Sequence, residues 1–248
     1  MNCAFCQHHK CYTEGQNCTK YSHEEVCGFY SEDDRRMMRA SSATESRNYM
    51  KMTRLEESAF FAKELGVKKI GIAFCIGLAN EAHFCAQYFK NQGFVVESVC
   101  CKVCSVDKDM LELEKIKPGK HEAMCNPRTQ AQLLNSAGTE LNFIVGLCVG
   151  HDMQFTMASK APVSCLITKD RVLANNPAGA VYSRYWRRKL RGRNGVNKKS
   201  ADDFHRLIFY LFLYLFFYFF DLICVVAYTP IILYSLFYSC SFFVTKEF

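Results

Sequence analysis

Fifteen cysteines in 248 residues are the first candidates for chemistry in this chain. One set crowds the N-terminus: Cys3, Cys6, Cys11, Cys18 and Cys27, with His8, His9 and His23 between them. Cys3-x2-Cys6 is a good chelating pair, because two thiolates on one tight loop can meet one tetrahedral ion. The later gaps, to Cys11 and Cys18, match no standard zinc-finger or ferredoxin spacing. A second set, Cys75, Cys100, Cys101, Cys104, Cys125 and Cys148, lies in the middle of the chain, with His151 and Asp152 just after Cys148. Thiolates and an imidazole suit zinc or an iron–sulfur cluster. Metal ligands are therefore expected at Cys3, Cys6, Cys11, Cys18, Cys75, Cys101, Cys125, Cys148 and His151. Cys85, Cys165, Cys224 and Cys240 read instead as buried thiols that pack as small hydrophobes.

Gly146-Leu147-Cys148-Val149-Gly150 also fits a nucleophile elbow with Cys in place of Ser. A thiolate at a helix N-terminus has a lowered pKa. That makes Cys148 a candidate nucleophile, with His151 as a local base and Asp152 beside it. The usual order, an acid and then a distant His, is missing: the one other His after Cys148 is His205. Gly-x-Gly-x-x-Gly and Walker sequences are absent, so the common phosphate cradles are not signalled.

These residues need elements to position them. Residues 43–65 have helical spacing and end at Gly66, followed by an apolar strand over 67–74. A helix from Asn80 to about Gln92 stops at Gly93, and a strand follows over 94–100. Residues 102–124 are charged and irregular. Asn126-Pro127 opens a helix, as N-cap and first-turn proline, which ends at Gly138. Strands over 141–147 and 161–168 flank a short helix near 153–159, and a basic helix over 177–190 closes the series. Alternating helices and short Val/Ile-rich strands imply an α/β fold: a Rossmann-like open parallel sheet of about four strands with flanking helices. In such a sheet the carboxyl ends of the strands share one edge, where ligands bind. Cys75, Cys100, Cys101, Cys104, Cys148 and then Lys169-Asp170-Arg171 all follow strands, and Cys125 immediately precedes a helix.

The same residues lie in ordered strings: Gly71–Leu78 (GIAFCIGL) with Glu81-Ala82, Cys101-Lys102, Glu122–Pro127 (EAMCNP) with Gln130-Ala131 and Leu134-Asn135, Gly146–Asp152 (GLCVGHD), Lys160–Val163 (KAPV), and Lys169–Leu173 (KDRVL) with Asn176-Pro177. Together they resemble the uncharacterised prokaryotic cysteine-rich family called domain of unknown function eighteen forty-seven, from the N-terminal cysteines to about Trp186. Members are often labelled metal-binding proteins. The resemblance implies that Cys75, Cys101, Cys125, Cys148, His151 and Asp152 are family-pattern residues, and that Cys3, Cys6, Cys11 and Cys18 are the family's opening cluster. Two departures stand out. Asn175 occupies a position where a His is expected, and Cys104 one where a small residue, often Gly, is expected.

Charge and hydropathy divide the chain further. The net charge is +7, yet Arg184–Lys199 alone holds eight Lys/Arg and no acid, so the remainder carries about −1. The basicity is local, which argues against a nucleic-acid-binding domain. Residues 207–244 contain one charge, Asp221, and the stretch Leu222–Val244 is 23 residues long, enough to span a bilayer core of about 30 Å. The expected organisation is a Cys-rich metal-binding segment over 1–40, an α/β domain over 41–186, a basic linker over 187–206 and a hydrophobic helical tail over 207–248. The tail reads either as a transmembrane anchor or as a frameshift or read-through artefact. No apolar signal-peptide core follows Met1, so reduced thiols and a cytoplasmic location are expected. A genuine tail would anchor the domain to the inner membrane from the cytoplasmic side. The leading function is a protein binding a metal ion or cluster through thiolates, with redox or metal-handling work. The alternatives are an enzyme using Cys148 as nucleophile and a membrane-anchored interaction protein.

Overall fold

The structure, a computed structural model, describes residues 1–191. It falls into two units, Met1–Gly179 and a second beginning at Ala180. The hydrophobic tail and most of the basic linker lie outside the described residues. Among the described residues, no helix is long and apolar enough to cross a membrane.

The first unit is the expected α/β fold. Its four strands are β1 (Lys69–Phe74), β2 (Val95–Cys100), β3 (Leu141–Val145) and β4 (Val163–Ile167), all parallel, in the order β2-β1-β3-β4. Each is bounded by a turn residue or a proline, as the sequence predicts, but β3 and β4 are two to three residues shorter than the apolar runs suggest. The order explains which strands need apolar residues on both faces. β3 is buried along its whole length and β1 at its four central positions, whereas the edge strands β2 and β4 are half-exposed.

Two short helices and a long one open the chain: α1 (Lys10–Thr13), α2 (His23–Gly28) and α3 (Glu32–Asn48). The single helix expected over 43–65 is two, α3 and α4 (Arg54–Glu64). The break is set by local chemistry: Met50 takes a left-handed φ of +56°, and Thr53 and Glu56 form a reciprocal capping box that starts α4. Helix α3 also begins inside the 1–40 segment expected to be a separate Cys-rich unit, and it buries Ala40 and Thr44. Helices α4 and α5 (Ala79–Asn91) lie together on one face of the sheet, where Lys63 donates to Gln92 at 2.7 Å. Helices α6 (Pro127–Ser136) and α7 (His151–Ala158) pack together on the other face. Right-handed crossovers produce this arrangement, because the walk along the sheet reverses after β2.

The core follows from that layering. Phe89 of α5 is fully buried and stacks on Phe143 of β3, with ring centroids 5.1 Å apart. On the opposite face Leu134 and Phe155 are fully buried. Gly71 admits no side chain: a Cβ there would fall 2.0 Å from Asn142 Oδ1 and 3.0 Å from Leu134 Cδ1.

The irregular stretch 102–124 is held by charge. Lys115 Nζ lies 2.6 Å from carboxylate oxygens of both Asp107 and Asp109, and Lys108 lies 2.6 Å from Glu122. In place of one basic C-terminal helix there are two short ones, α8 (Ala178–Tyr182) and α9 (Arg184–Leu190). Ser183 caps α9, and Lys189 Nζ sits 4.5 Å from the centre of the Trp186 ring.

Candidate functional site

The strand order reverses direction between β1 and β3, and ligand crevices form at the carboxyl ends of strands around such a point. Cys75 follows β1, and its N–H donates to the Val145 carbonyl of β3 at 3.1 Å. Cys101 follows β2, and its N–H donates to the Phe74 carbonyl at 2.8 Å. The Asn126 N–H then donates to the Cys101 carbonyl at 2.8 Å, which brings Cys125 beside Cys101. The Cys101 and Cys125 thiols lie close enough for each to bear on the other's ionisation. Cys101 and Cys75 are buried, and Cys125 is half-buried.

A buried amide supports this edge. Gln130 of α6 donates from Nε2 to the Val99 carbonyl at 2.7 Å and to the Phe74 carbonyl at 3.3 Å. It therefore joins the ends of β1 and β2 just below the thiols. The Ile76 N–H donates to Cys101 Sγ at 3.4 Å.

The two thiols are unequal. The neighbouring Cys101 thiol holds the Cys125 thiol below the ordinary range, with added help from the charge of Lys102 and from His151. Cys101 is pushed the other way, first by Cys125 and then by burial. Loss of one proton from the pair is thus favoured, and loss of the second opposed.

Cys148 ends the turn after β3. The N–H groups of His151 and Asp152 donate to its carbonyl at 2.9 and 3.1 Å, so His151 opens α7 two residues earlier than the sequence suggests. The Arg171 guanidinium donates to Cys148 Sγ at 3.0 Å. The Asp152 carboxylate accepts the neighbouring Met153 N–H at 2.8 Å. Among the described residues no hydrogen bond links Cys148 to the His151 ring or that ring to Asp152, so the three are neighbours without forming a relay. His151 acts instead on Cys125.

The N-terminal cysteines do not converge. Cys3, Cys6, Cys11, Cys18 and Cys27 are all exposed. Cys6 Sγ accepts the His9 N–H at 3.5 Å, and the backbone N–H groups of His9 and His8 hold this thiol below its ordinary range. Among the described residues no group of three or more His, Cys, Asp or Glu side chains is placed to hold a metal ion. The ligand sets expected at Cys3, Cys6, Cys11 and Cys18, and at Cys75, Cys101, Cys125, Cys148 and His151, are therefore not assembled as they stand. At the strand edge the donors meet in pairs. Cys85 is buried as expected, and burial pushes its thiol up. Cys165, expected to be buried, is exposed, with Sγ 3.4 Å from Thr168 Oγ1, because it lies on the edge strand.

Both departures from the family pattern have a backbone explanation. Cys104 has a left-handed φ of +69°, the conformation in which glycine is relaxed. Asn175, at φ +60°, donates its N–H to the Asp170 carbonyl at 2.8 Å, and its Oδ1 accepts the Asp170 N–H at 3.2 Å. Asparagine tolerates that conformation better than most residues, and here it closes the turn that carries Asp170 and Arg171.

Sequence reasoning gave no role to three cations, Lys102, Lys169 and Arg171. Lys102 acts on Cys125 and Arg171 on Cys148. A Cβ built on Gly77 would sit 3.3 Å from Lys169 Nζ and 3.9 Å from Cys75 Sγ, so those two groups flank one small space. The signal was present in their position, since each cation follows a strand end as the cysteines do. Gln130 was likewise visible only as part of a motif. Elsewhere a cleft of about 530 Å³, lined by Leu55, Phe84, Leu166 and Ile167 among others, opens on the α4–α5 face and carries no comparable chemistry.

Fold and site together define a doubly wound α/β protein with thiols gathered at the carboxyl edge of its sheet. The chain belongs to the family described as protein of unknown function (DUF1847), which it matches over residues 13–166. It is 49% identical over 191 residues to an uncharacterized protein of Methanocaldococcus jannaschii, a match covering 77% of this chain and 98% of that relative. No solved structure matches it. The family match starts after Cys11 and ends before Lys169, a narrower span than the resemblance suggested, and the hydrophobic tail lies outside it.

Proposed function

We propose that the protein does redox work through a dithiol, with Cys125 as the attacking thiolate and Cys101 as its resolving partner. The observation that carries this reading is the side-by-side placement of Cys125 and Cys101 at the ligand edge of the sheet, fixed by the Asn126 N–H donating to the Cys101 carbonyl at 2.8 Å. The balanced step is thiol–disulfide exchange. Cys125 Sγ attacks one sulfur of a small disulfide, and the other sulfur leaves as a thiolate and takes a proton. Cys101 then gives up its proton and attacks Cys125 Sγ, releasing the second thiol. One disulfide is reduced to two thiols as the Cys101–Cys125 dithiol is oxidised. A thiolate is the reactive species in such exchange, and Lys102 and His151 are placed to stabilise it.

The test is equilibration of the full chain in glutathione buffers of graded oxidation, followed by acid quench, alkylation and peptide mass spectrometry. The expected product is a disulfide joining the Cys101 and Cys125 peptides, lost in Cys125→Ser and retained in Cys148→Ser. A pair of alkylated, unlinked thiols at every poise rejects the proposal. The reading of Cys148 as nucleophile would instead put first reactivity at Cys148.

A second reading, binding of zinc or an iron–sulfur cluster, is supported by the three soft donors Cys75, Cys101 and Cys125 on one edge, where Cys75 also bears on Cys101. Elemental analysis of anaerobically purified protein separates it from the first. Stoichiometric metal lost in Cys125→Ser favours this reading, and metal-free protein that still forms the disulfide favours the dithiol.

A further inference from the structure

The loop over 102–124 holds a second set of chemical groups, apart from the thiols and joined end to end. Ser105 Oγ lies 3.3 Å from His121 Nε2, and His121 Nδ1 lies 2.8 Å from Asp107 Oδ2. An ionised carboxylate only accepts hydrogen bonds, so the ring proton sits on Nδ1 and the Nε2 lone pair is left to receive the Ser105 hydroxyl proton. The acid is kept ionised: the hydrogen bond from Lys115, 2.6 Å from Oδ1, holds its carboxyl well below the usual range. It is also kept in place, because Oδ1 accepts the Asp109 N–H and Oδ2 the Glu122 N–H, each at 2.9 Å. The Lys115 and Asp107 side chains are 8% and 21% exposed, whereas that of His121 is 60% exposed and Ser105 is exposed, so the relay runs from a covered acid to an open hydroxyl. Ser105 has a left-handed φ of +49°, directly after Cys104 at +69°. Backbone strain of this kind concentrates at active sites, nucleophilic serines on sharp turns among them. The Val106 N–H, next along the chain, makes no hydrogen bond among the described residues, and the N–H after a nucleophilic serine is the usual oxyanion donor.

We propose that Ser105 is an acyl-transfer nucleophile, with His121 as its general base and Asp107 as the group that positions His121, acting on carboxylic esters small enough to be met at an open surface. This activity is independent of the Cys101–Cys125 pair. Ser105 Oγ attacks the ester carbonyl carbon, and its proton passes to His121 Nε2. The bond from that carbon to the alcohol oxygen breaks, and the alcohol leaves with the proton. Water then attacks the acyl–Ser105 carbonyl, again through His121, which releases the acid and restores the serine. One ester and one water give one acid and one alcohol.

The test is labelling of the reduced full chain with a fluorophosphonate, which phosphonylates an activated serine and releases fluoride. Peptide mass spectrometry, with fragmentation to separate Ser105 from Cys104, reads the site. The expected product is an adduct on Ser105, formed equally in Cys104→Ala and absent in Ser105→Ala. General-base assistance is worth about 10²–10⁴-fold, so His121→Gln should slow the labelling by about a hundredfold or more. Neither Ser105 nor His121 takes part in the Lys108 and Lys115 ion pairs, so these variants keep the clamps of the loop. Imidazole added to His121→Gly should restore part of the rate, which a purely structural role of the ring would not allow. Hydrolysis of p-nitrophenyl acetate should fall once Ser105 is labelled, and turnover unchanged by a complete label rejects the ester substrate. Labelling of Ser105 at the same rate in His121→Gln marks an ordinary exposed hydroxyl and overturns the proposal. Adducts confined to thiols, or none at all, overturn it too and leave the dithiol reading untouched.

Discussion

Cys104 and Asn175 show how single residues here are set by backbone conformation. Both lie in left-handed φ, at +69° and +60°, and both differ from what the family pattern leads one to expect. A left-handed conformation costs a residue with a Cβ about 1–2 kcal/mol. Cys104→Gly is therefore expected to raise stability by about 1 kcal/mol, since it relieves that strain at an exposed site with no buried contact to lose. Urea unfolding of the two proteins checks this, and an unchanged or lower midpoint would show that Cys104 carries no strain. The candidate residues were legible because thiols and imidazoles are rare and their positions after apolar runs can be counted. Their pairing was not. Nothing in spacing says that Cys125 meets Cys101 while Cys148 turns to Arg171, because those contacts depend on hydrogen bonds between distant segments such as Asn126 N–H to the Cys101 carbonyl.

At the scale of elements, the four strands and the helices between them could be read from apolar runs and caps. Asn126-Pro127 opens α6 as expected, with Asn126 Oδ1 accepting the Thr129 N–H at 3.4 Å. The capping box at Thr53 and Glu56 was equally present in the sequence, but the apolar periodicity running across it hid the break. Close packing of elements sets the strictest constraint, at Gly71 in the central strand. Gly71→Ala is expected to destabilise by about 3 kcal/mol, the upper part of the range for overpacked cores. Its β-carbon would meet Asn142 Oδ1, a buried oxygen that has no hydrogen-bond partner in the structure. Adding Asn142→Ala removes the obstacle, so the double variant should be more stable than Gly71→Ala alone. Equilibrium denaturation of the three variants measures that coupling, and strict additivity would contradict the clash.

For the molecule as a whole, carboxylates clamp segments that the sheet alone does not hold. Glu140 accepts the N–H groups of Lys68 and Lys69 at 2.7 and 2.8 Å, tying the start of β1 to the start of β3. These N–H groups hold the Glu140 carboxyl below its usual range. The hydrogen bond from Lys115 does the same for Asp107, and that from Lys108 for Glu122. Groups whose folded pKa is depressed contribute stability above the unfolded value, about 4, and lose it as pH falls through the folded value. The urea midpoint should therefore be level from pH 8 to pH 5 on account of these groups and fall below about pH 4. Glu140→Gln should flatten part of that fall, and an unaltered acid slope would remove Glu140 from the account. Strand order, the feature that makes one edge the site, was beyond the sequence, since the choice of β1 or β2 as neighbour to β3 is made by tertiary packing.

That order also fixes when the thiols meet. As the chain leaves the ribosome, β1 and β2 can pair before β3 exists, which brings Cys75 and Cys101 together early. Cys125 is translated next, ahead of the strand that must dock beside β1. Cys148, His151, Lys169 and Arg171 emerge last, so Cys101 and Cys125 are first exposed with Lys102 alone of these cations beside them.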